Sequence, residues 1–447
     1  MSGYSYKTIW KITYPIILGY MAQNLVYVAD TAFLGRVSEV ALGAAAIAGL
    51  YYMAVFMLGM GFGTGAQIII ARRFGEGERL EIGKVLDHAF YFLICFAVVI
   101  FFILKYVSPL IFDELLSSND VNSATMEYLD YRAFGIFFAF VNVGFRAFYI
   151  GIGNTRVLIW STSIMAIVNI VLDFALIFGK GGFPEMGIAG AAIASVISEA
   201  FTTAYFLWYS NKKIKNGESI KKQYAFFNYP KMEMEQLRSM LRTSLPVMFQ
   251  NFISLWGWFL FYLIIEGMGE RPLAVSNIIR SIYLILMIPG IAFYSVTYTL
   301  VSSTMGKNKP EQIKPLLKQL IGLGFIFSFC LAGTMMLFPT EVVSIYTNNP
   351  ELINATIPTL KVIAIALLIL PLSMITFAAI SGTGNTRASL YLEITTVIIY
   401  LMCTHWFANI LKWEVHQVWY TEWIYLIVIG ALSMIFFKTA NWKSAKV

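Results

Sequence analysis

The sequence predicts an all-α polytopic membrane protein with twelve transmembrane helices in two pseudo-symmetric six-helix bundles around a central cleft. Composition is the first reason: 58% of the 447 residues are apolar and only 13% are charged, whereas soluble proteins contain about 25% charged residues. The second reason is that the apolar residues form twelve runs of membrane-spanning length. The third is a repeat that relates the two halves of the chain. Together these observations exclude an ordinary soluble domain.

Each apolar run is long enough to cross the hydrocarbon core of a bilayer as an α-helix. The approximate limits are 12–35, 41–71, 85–112, 126–149, 157–179, 187–210, 239–266, 273–304, 315–338, 357–380, 388–411 and 417–437. The second and eighth runs are longer than the bilayer requires. We therefore expect these two helices to tilt, to kink or to extend into water.

Positive charges are distributed unequally between the two sides of the predicted membrane. The N-terminus, the loops after even-numbered runs and the C-terminus hold most of the 32 lysines and arginines, including Arg72, Arg73 and Lys443. By the positive-inside rule, both termini are cytoplasmic. We therefore predict a multi-pass protein of the bacterial inner membrane. The net charge of +7 is attributed to these loops and not to a nucleic-acid site.

The longest connector, residues 211–238, is polar and basic and joins the sixth and seventh runs. It divides the chain into a six-helix lobe at 1–210 and a second six-helix lobe at 239–437, which we call the N-lobe and the C-lobe. Residues 438–447 form a cytoplasmic tail. The linker lysines are expected to be solvated and to help set the orientation of the protein.

A repeat connects the two lobes. The sequence Gly-Asn-Thr-Arg occurs at 153–156 and again at 384–387, and we call the separation between these two copies the repeat offset. The same offset separates Pro15 from Pro246 and Gly75 from Gly306. Because each lobe has an even number of helices, the lobes are predicted to be parallel repeats about an axis along the membrane normal. Two such bundles facing a cleft predict alternating access by rocking.

Two aspartates interrupt the apolar runs. Asp173 in the fifth run shares one helical face with Asn169, and Asp30 lies in the first run. One interpretation is a structural aspartate at a helix end or in tight hydrogen bonds, and the other is an ion or proton path. A functional role is favoured because the helical pattern occurs in both halves of the chain, whereas the acids occur in the first half and are absent from the equivalent positions of the second. The repeat offset maps Asp30, Asn169 and Asp173 onto Phe261, Tyr400 and Thr404.

Helix geometry places the polar groups at a similar depth. Asp30 lies about 30 Å along the first helix, and Asp173 and Ser195 are expected in the same outer half of the N-lobe. On the first helix, Gln23, Tyr27 and Asp30 form one polar stripe. Such a stripe belongs against the interior of the bundle or a wet cavity.

The carboxylates suggest two kinds of ion. Two carboxylates that lie close together in a low-dielectric site cannot both ionise cheaply, so one is expected to hold a proton near neutral pH. With the Asn169 amide oxygen, the Ser195 hydroxyl and a backbone carbonyl, the same groups form an oxygen cage that suits Na⁺. Asp30, Asn169 and Asp173 are therefore candidate Na⁺ ligands as well as candidate proton carriers. The residues leave the choice of ion open.

Other polar residues within the runs give weaker signals. Gln250 and Asn251 in the seventh run either line the C-terminal half of the cleft or tie helices together. The roles of Glu199, Arg280, Glu393 and His405 are left open. No phosphate-binding loop, metal-ligand spacing or catalytic order of residues is present. We therefore predict no enzymatic activity, no cofactor and transport energy from an ion gradient or a partner.

Several stretches resemble the multidrug and toxic compound extrusion (MATE) family of secondary transporters. They are PIILGYMAQNLVYVADTAFLGR from Pro15 to Arg36, ARRFGEGE from Ala71 to Glu78, the paired GNTR turns, NIVLDFALIFG from Asn169 to Gly179 and GIAGAAIAS from Gly187 to Ser195. The resemblance covers essentially the whole chain. It implies twelve helices in two lobes around a cleft, and export of cationic or amphipathic drugs and metabolites in exchange for H⁺ or Na⁺.

The resemblance also implies roles for particular residues. The cation site of the family falls on Asp30, Asn169, Asp173, the backbone of Ala191 and Ser195. Gln23 and Tyr27 fall on the cavity face of the first helix, and Pro15 matches a proline at which some members are proposed to bend. The NorM-like branch places acids in spans seven and ten, and those acids are absent here. We therefore predict a member of the DinF-like branch that couples through the N-lobe alone.

The leading interpretation is a secondary antiporter that exchanges drugs or metabolites for H⁺ or Na⁺. An alternative keeps the scaffold but moves a lipid-linked or amphipathic glycan, as a flippase. A channel or a membrane-embedded enzyme is disfavoured by the two-lobe repeat and by the absence of a catalytic constellation. The expected partners are small amphipathic or cationic substrates and membrane lipid, with no nucleic acid, and the protein is expected to be a monomer.

Overall fold

The computed structural model describes residues 3–213, 217–228 and 233–445. These residues are almost entirely helical, and none of them forms a named β-strand. The all-α class predicted from the sequence is confirmed. Parts of the predicted linker and tail, including Lys215 and Lys446, lie outside the described residues.

Six long helices make up the N-lobe. They are α1 (Tyr6–Leu34), α2 (Glu39–Glu76), α3 (Arg79–Leu115), α4 (Asn119–Gly151), α5 (Arg156–Ile177) and α6 (Gly187–Asn211). Each contains one of the first six apolar runs almost entirely. A π-helical turn at Ile103–Val107 interrupts α3 without ending it.

Six further spans make up the C-lobe. They are α7 (Met234–Glu266), α8 (Glu270–Leu286 and Ile288–Gly306), α9 (Pro310–Leu337), α10 (Pro350–Gly382), α11 (Thr386–Ile410) and α12 (Val415–Thr439). The two parts of α8 meet at an angle of 47°. Pro289 lies at the start of the second part and lacks the N–H that would continue the helical hydrogen-bond ladder. The kink expected in the eighth span is therefore present.

Length and hydropathy are consistent with twelve spans. Among the described residues, ten helices are long and apolar enough to cross a membrane, and α8 makes eleven if its two parts form one span. The remaining helix, α1, has 29 residues. Its interior contains Gln23, Asn24 and Asp30, which lower its hydropathy. The helix with the weakest membrane signal thus contains one of the two candidate aspartates.

The repeat is also visible in the backbone. Gly153 and Gly384 adopt φ values of 72° and 99° just after α4 and α10. Gly77 and Asn308 adopt φ values of 83° and 54° just after α2 and α8. Both pairs are related by the repeat offset, and both use residue types that tolerate the left-handed region. The duplicated turns therefore have the same conformation as well as similar sequences.

The chain forms two compact units. One comprises Leu18–Met248, and the other comprises the described residues of Met1–Ile17 and Phe249–Val447. The boundaries fall inside α1 and α7, at positions related by the repeat offset, and each lies just beyond the proline of its helix, Pro15 or Pro246. The first turns of α1 pack with C-lobe helices, where Trp10 stacks on Phe327 at 5.2 Å between ring centroids. The sequence did not indicate this assignment of the N-terminal segment.

Part of the linker is anchored to α3. A short helix at Ile220–Tyr224 is followed by Phe226, which is fully buried. The Asp87 carboxylate accepts hydrogen bonds from the backbone N–H groups of Phe227 and Asn228, at 2.7 and 3.1 Å. The described aromatic part of the linker is thus packed against the N-lobe, whereas exposed lysines such as Lys222 keep the solvated character that the sequence predicts.

Candidate functional site

The two predicted aspartates meet between α1 and α5, with Asn169 between them. When the Asn169 amide is oriented so that its nitrogen faces the carboxyls, it donates to Oδ1 of Asp30 and to Oδ2 of Asp173, at 3.1 Å in each case. This orientation satisfies the hydrogen-bonding groups on both sides of the amide. The other amide atom lies 3.4 Å from Oγ of Ser195 on α6. One amide thus connects three helices at a single point.

The site is deeply buried on the α5 side. Asp173 and Asn169 are 0% and 1% exposed, whereas Asp30 is half-buried. The carboxyl groups of Asp30 and Asp173 lie close enough to share a hydrogen bond with each other. Such a bond between two carboxyls requires a hydrogen on one of them, because ionised carboxylates only accept. Oδ1 of Asp173 is buried without a hydrogen-bond donor among the described residues.

Small residues bring α6 close enough for Ser195 to reach the site. Gly190 lies directly against the backbone of Leu176 in α5, and a Cβ on Gly190 would lie 2.8 Å from the carbonyl carbon of Leu176. Ala191 is 3% exposed and packs in the same small core. The motif at Gly187–Ser195 therefore positions the third helix by close backbone approach. Ser195 contacts the Asn169 amide, and Ala191 lies one helical turn before it on α6.

The other two members of the polar stripe on α1 are more accessible. The Tyr27 side chain is 53% exposed and Gln23 is half-buried. These two side chains lie close enough to hydrogen-bond to each other. They extend the polar surface of α1 beyond Asp30.

An ion pair that the sequence did not reveal lies beside the aspartates. Arg132 on α4 makes a bidentate pair with Glu199 on α6, with N–O distances of 2.9 and 2.6 Å. The guanidinium also lies over the ring of Tyr52 at 3.9 Å and interacts electrostatically with Asp30. Glu199 was an intramembrane acid of open role, and its role here is to pair with Arg132. The sequence shows that each residue is a charged group within an apolar run, but it does not show that the two form a pair.

Gln250 and Asn251 lie on α7, within the compact unit that begins again at Phe249. Gln250 is 2% exposed and donates from its amide to the Tyr294 hydroxyl at 3.1 Å. Asn251 is half-buried. Gln250 therefore links α7 to α8 through this hydrogen bond.

The C-lobe positions that correspond to the carboxyl pair are filled by aromatic packing. Phe261 stacks on Tyr400 with ring centroids 5.7 Å apart and makes an edge contact with Trp419 at 5.0 Å. Thr404 is fully buried and donates its hydroxyl to the backbone carbonyl of Tyr400. Glu422, the counterpart of Ala191 at the repeat offset, is 5% exposed and accepts a hydrogen bond from Tyr283 at 2.8 Å.

The remaining charged residues have distinct surroundings. Arg280 is exposed and lies over the Tyr262 ring at 5.0 Å, and His405 is exposed and hydrogen-bonded to Asn409 at 2.8 Å. Glu393 on α11 is fully buried. Within the described residues, no group of three or more His, Cys, Asp or Glu side chains is arranged to hold a metal ion.

Duplicated six-helix bundles with a polar site buried in apolar spans define a multi-pass membrane transporter. The family model described as MatE matches residues 15–175 and 246–406. The chain therefore belongs to the MatE family, and it is a transporter and not an enzyme. The two matched segments begin at Pro15 and Pro246, which are related by the repeat offset found in the sequence.

The chain is similar along most of its length to proteins described as probable multidrug resistance protein NorM. The relative from Thermotoga maritima is 26% identical over 450 residues, which cover 99% of this chain and 94% of the relative. The relative from Pasteurella multocida is 23% identical over 388 residues, which cover 87% of this chain and 83% of the relative.

Solved structures share the fold. One is described as the outward-facing conformation of a multidrug resistance MATE family transporter of the MOP superfamily. It is 20% identical, with a TM-score of 0.88 over 97% of this chain and 95% of that one. Another is a MOP superfamily transporter from Pyrococcus furiosus, which is 21% identical with a TM-score of 0.86 over 97% and 94% of the two chains.

Proposed function

We propose that this protein is a secondary antiporter that exports cationic or amphipathic drugs or metabolites in exchange for protons through the Asp30–Asp173 pair. The observation that carries the proposal is the Asn169 amide, which lies within 3.1 Å of both carboxyls in an otherwise apolar bundle. The descriptions of the NorM relatives as multidrug resistance proteins support drug export. We further propose that the protein acts in the bacterial inner membrane with both termini cytoplasmic, as a monomer of the DinF-like branch.

Hydrogen-bond accounting favours H⁺ over Na⁺ as the coupling ion. When the Asn169 nitrogen donates to both carboxyls, the amide presents hydrogens to the site and offers no oxygen ligand there. A cation needs oxygen lone pairs, whereas a proton needs only one carboxyl oxygen and an acceptor beside it. Asp30 and Asp173 supply that arrangement, since their carboxyls lie close enough for one to donate to the other when it holds a proton. Na⁺ coupling would require the amide to turn so that its oxygen faces the carboxyls.

Proton binding then acts as a switch of local charge. With one proton, the pair carries a single negative charge that attracts a cationic substrate. With two protons, the pair is neutral and that attraction is lost. Protonation from the outside would therefore release the substrate, and deprotonation inside would restore the binding state. Ser195 and the backbone of Ala191 supply supporting oxygens, whereas Gln23, Tyr27 and Asn251 are candidate substrate-cavity residues and Gln250 instead ties α7 to α8. Pro15 is the proposed bending point of α1.

Gradient-driven efflux by single variants tests the proposal. We expect Asp30→Asn and Asp173→Asn each to reduce efflux of a fluorescent cation from proteoliposomes at least about tenfold, because the neutral amide cannot exchange a proton. Asp120→Asn is the matched control, since Asp120 is an exposed acid in the first turn of α4. Each variant is measured with a pH gradient and with a Na⁺ gradient.

Unimpaired efflux by both single variants would overturn the proposal. Efflux that follows the Na⁺ gradient and ignores the pH gradient would leave the carboxyl site in place but replace the coupling ion. Size-exclusion profiles of the detergent-purified variants establish that any loss of efflux occurs in folded protein.

A further inference from the structure

We propose that the C-lobe contains a second proton-binding site, centred on the carboxyl of Glu393 in α11. The inference rests on the proposed proton coupling and adds a second carboxyl to it. Glu393 is 0% exposed and lies within an apolar helix of membrane-spanning length. An ionisable group in that setting is costly unless it is used or neutralised.

The surroundings of Glu393 satisfy only one of its two oxygens. The hydroxyls of Ser254 on α7 and Tyr425 on α12 both donate to Oε1, the latter at 2.9 Å. Oε2 is buried and has no hydrogen-bond partner within the part of the chain that the structure describes. A bare carboxylate oxygen in this position would bear the full cost of desolvation. A proton on Oε2 removes that cost by making the group neutral.

A second unsatisfied oxygen lies on the same stretch of α7. Oε1 of Gln250 is buried without a hydrogen-bond donor, and the Gln250 amide nitrogen is engaged with Tyr294. The hydroxyl of Ser254 also contacts the backbone carbonyl of Gln250. The two residues whose side-chain oxygens lack donors, Glu393 and Gln250, therefore both contact the Ser254 hydroxyl.

The neighbouring titratable groups offer no positive charge to stabilise an ionised Glu393. Those within electrostatic reach are the phenols Tyr294 and Tyr298 on α8 and Tyr425 on α12. Glu422, also on α12, adds a further acid near Tyr425. Among the described residues, no lysine, arginine or histidine forms an ion pair with Glu393. The C-lobe carboxyl therefore differs from Glu199, whose charge is balanced by Arg132.

Proton binding explains these contacts better than binding of a metal cation. Ser254 and Tyr425 direct hydrogens toward Glu393, and hydrogens repel a cation. A proton needs only the single free oxygen that the site provides. The class of ligand is therefore H⁺, and Na⁺ binding is an outcome that the test detects.

The repeat shows why sequence motifs did not reveal this site. The N-lobe position equivalent to Glu393 is Thr162, and spans seven and ten of the C-lobe lack an intramembrane acid at the expected places. Glu393 lies on α11 instead, and the Ser254 hydroxyl on α7 donates a hydrogen bond to its carboxyl. The sequence predicted that only the N-lobe couples transport to an ion, and this proposal differs from that prediction. It implies that the C-lobe also exchanges a proton during transport.

Infrared difference spectroscopy across a pH jump tests the site without relying on transport. The measurement uses the purified full chain carrying Asp30→Asn and Asp173→Asn, so that the N-lobe pair no longer contributes. We expect a carboxylic-acid carbonyl band that disappears as the pH rises between about 5 and about 9. Adding Glu393→Gln should remove that band, whereas Glu266→Gln, which changes an exposed acid at the outer end of α7, should leave it in place.

Tyr425→Phe provides a second readout that a purely structural role would not move. Removing a donor to the ionised carboxylate should shift the band's midpoint to higher pH by about one unit. The proposal is overturned if no band depends on Glu393 in this pH range, or if Na⁺ removes the band at constant pH. Both results are independent of the Asp30→Asn efflux assay, so the failure of either proposal can be recognised separately.

Discussion

The two lobes use one backbone repeat for different chemistry at equivalent positions. In the N-lobe the repeat places Asp30, Asn169 and Asp173 together, and in the C-lobe it places Phe261, Tyr400 and Thr404. The N-lobe set is connected by an amide that hydrogen-bonds to two carboxyls. The C-lobe set is held by stacked aromatic rings. The same helical scaffold thus accommodates either a polar set or an aromatic set of side chains at these positions. Interior packing requires that the volume is filled and that buried polar groups are hydrogen-bonded, and both sets can meet these requirements.

The difference extends to the way each lobe treats buried charge. In the N-lobe, Glu199 is neutralised by Arg132 in a bidentate ion pair. In the C-lobe, Glu393 and Glu422 accept hydrogen bonds from hydroxyl groups and are not paired with a cation within the described structure. The positions equivalent to Arg132 and Glu199 are Ile363 and Gly430. The ion pair is therefore an N-lobe feature, located beside the aspartates.

The largest expected effect comes from breaking this ion pair. Arg132→Met alone or Glu199→Gln alone should lower the free energy of unfolding by about 3–5 kcal/mol, because each leaves one buried charge without its partner. The double variant Arg132→Met/Glu199→Met should cost clearly less than either single change. Denaturant unfolding in detergent measures all three. If the double variant loses as much as the sum of the singles, the buried pair is not the source of the effect.

A smaller effect is expected from placing an acid in the C-lobe counterpart. Thr404→Asp should lower the free energy of unfolding by about 3 kcal/mol, since the new carboxyl would be buried against aromatic rings with no amide to receive it. Thr404→Val, which removes only the hydroxyl bonded to the Tyr400 carbonyl, should cost about 1 kcal/mol. Thermal denaturation of the purified variants compares the two. Equal stability for both would show that the C-lobe tolerates the acid.

The smallest of the three effects concerns the acid that replaces Ala191 in the repeat. Tyr283→Phe removes the hydroxyl that donates to Glu422 at 2.8 Å and should lower the free energy of unfolding by about 1.5 kcal/mol. Tyr391→Phe is the control, because Tyr391 is 67% exposed and should change stability little. A loss shared by both variants, measured by the same thermal assay, would contradict a specific role for the Tyr283 hydroxyl.

Elements that depend on neighbouring residues in the chain were predicted well from the sequence. The twelve spans follow from apolar runs of membrane-spanning length. The length of the eighth run left tilt, a kink and extension into water open, and α8 is kinked at Pro289. The Asn169–Asp173 face follows from helical periodicity. Its meeting with Asp30 followed from depth along each helix, because both helices start on the same side of the membrane.

Partners between distant helices were not predictable in the same way. Nothing near Glu199 in the sequence identifies Arg132, and nothing near Glu393 identifies Ser254, because each contact depends on which faces of packed helices meet. The sequence could likewise list Glu393 as an intramembrane acid without showing that one of its oxygens is unsatisfied.

The sequence by itself determined the class of protein, the number of spans, the repeat that relates the lobes and the carboxyl pair of the N-lobe. These features are set by local composition, by periodicity and by the offset between two copies of one ancestral pattern. Only the tertiary structure decided which buried acids form an ion pair and which accept hydrogen bonds from hydroxyl groups. It also showed that α1 and α7 each cross between the compact units just beyond a proline. The physical reason is that hydrogen bonds and ion pairs inside a bundle depend on side-chain directions from several helices at once.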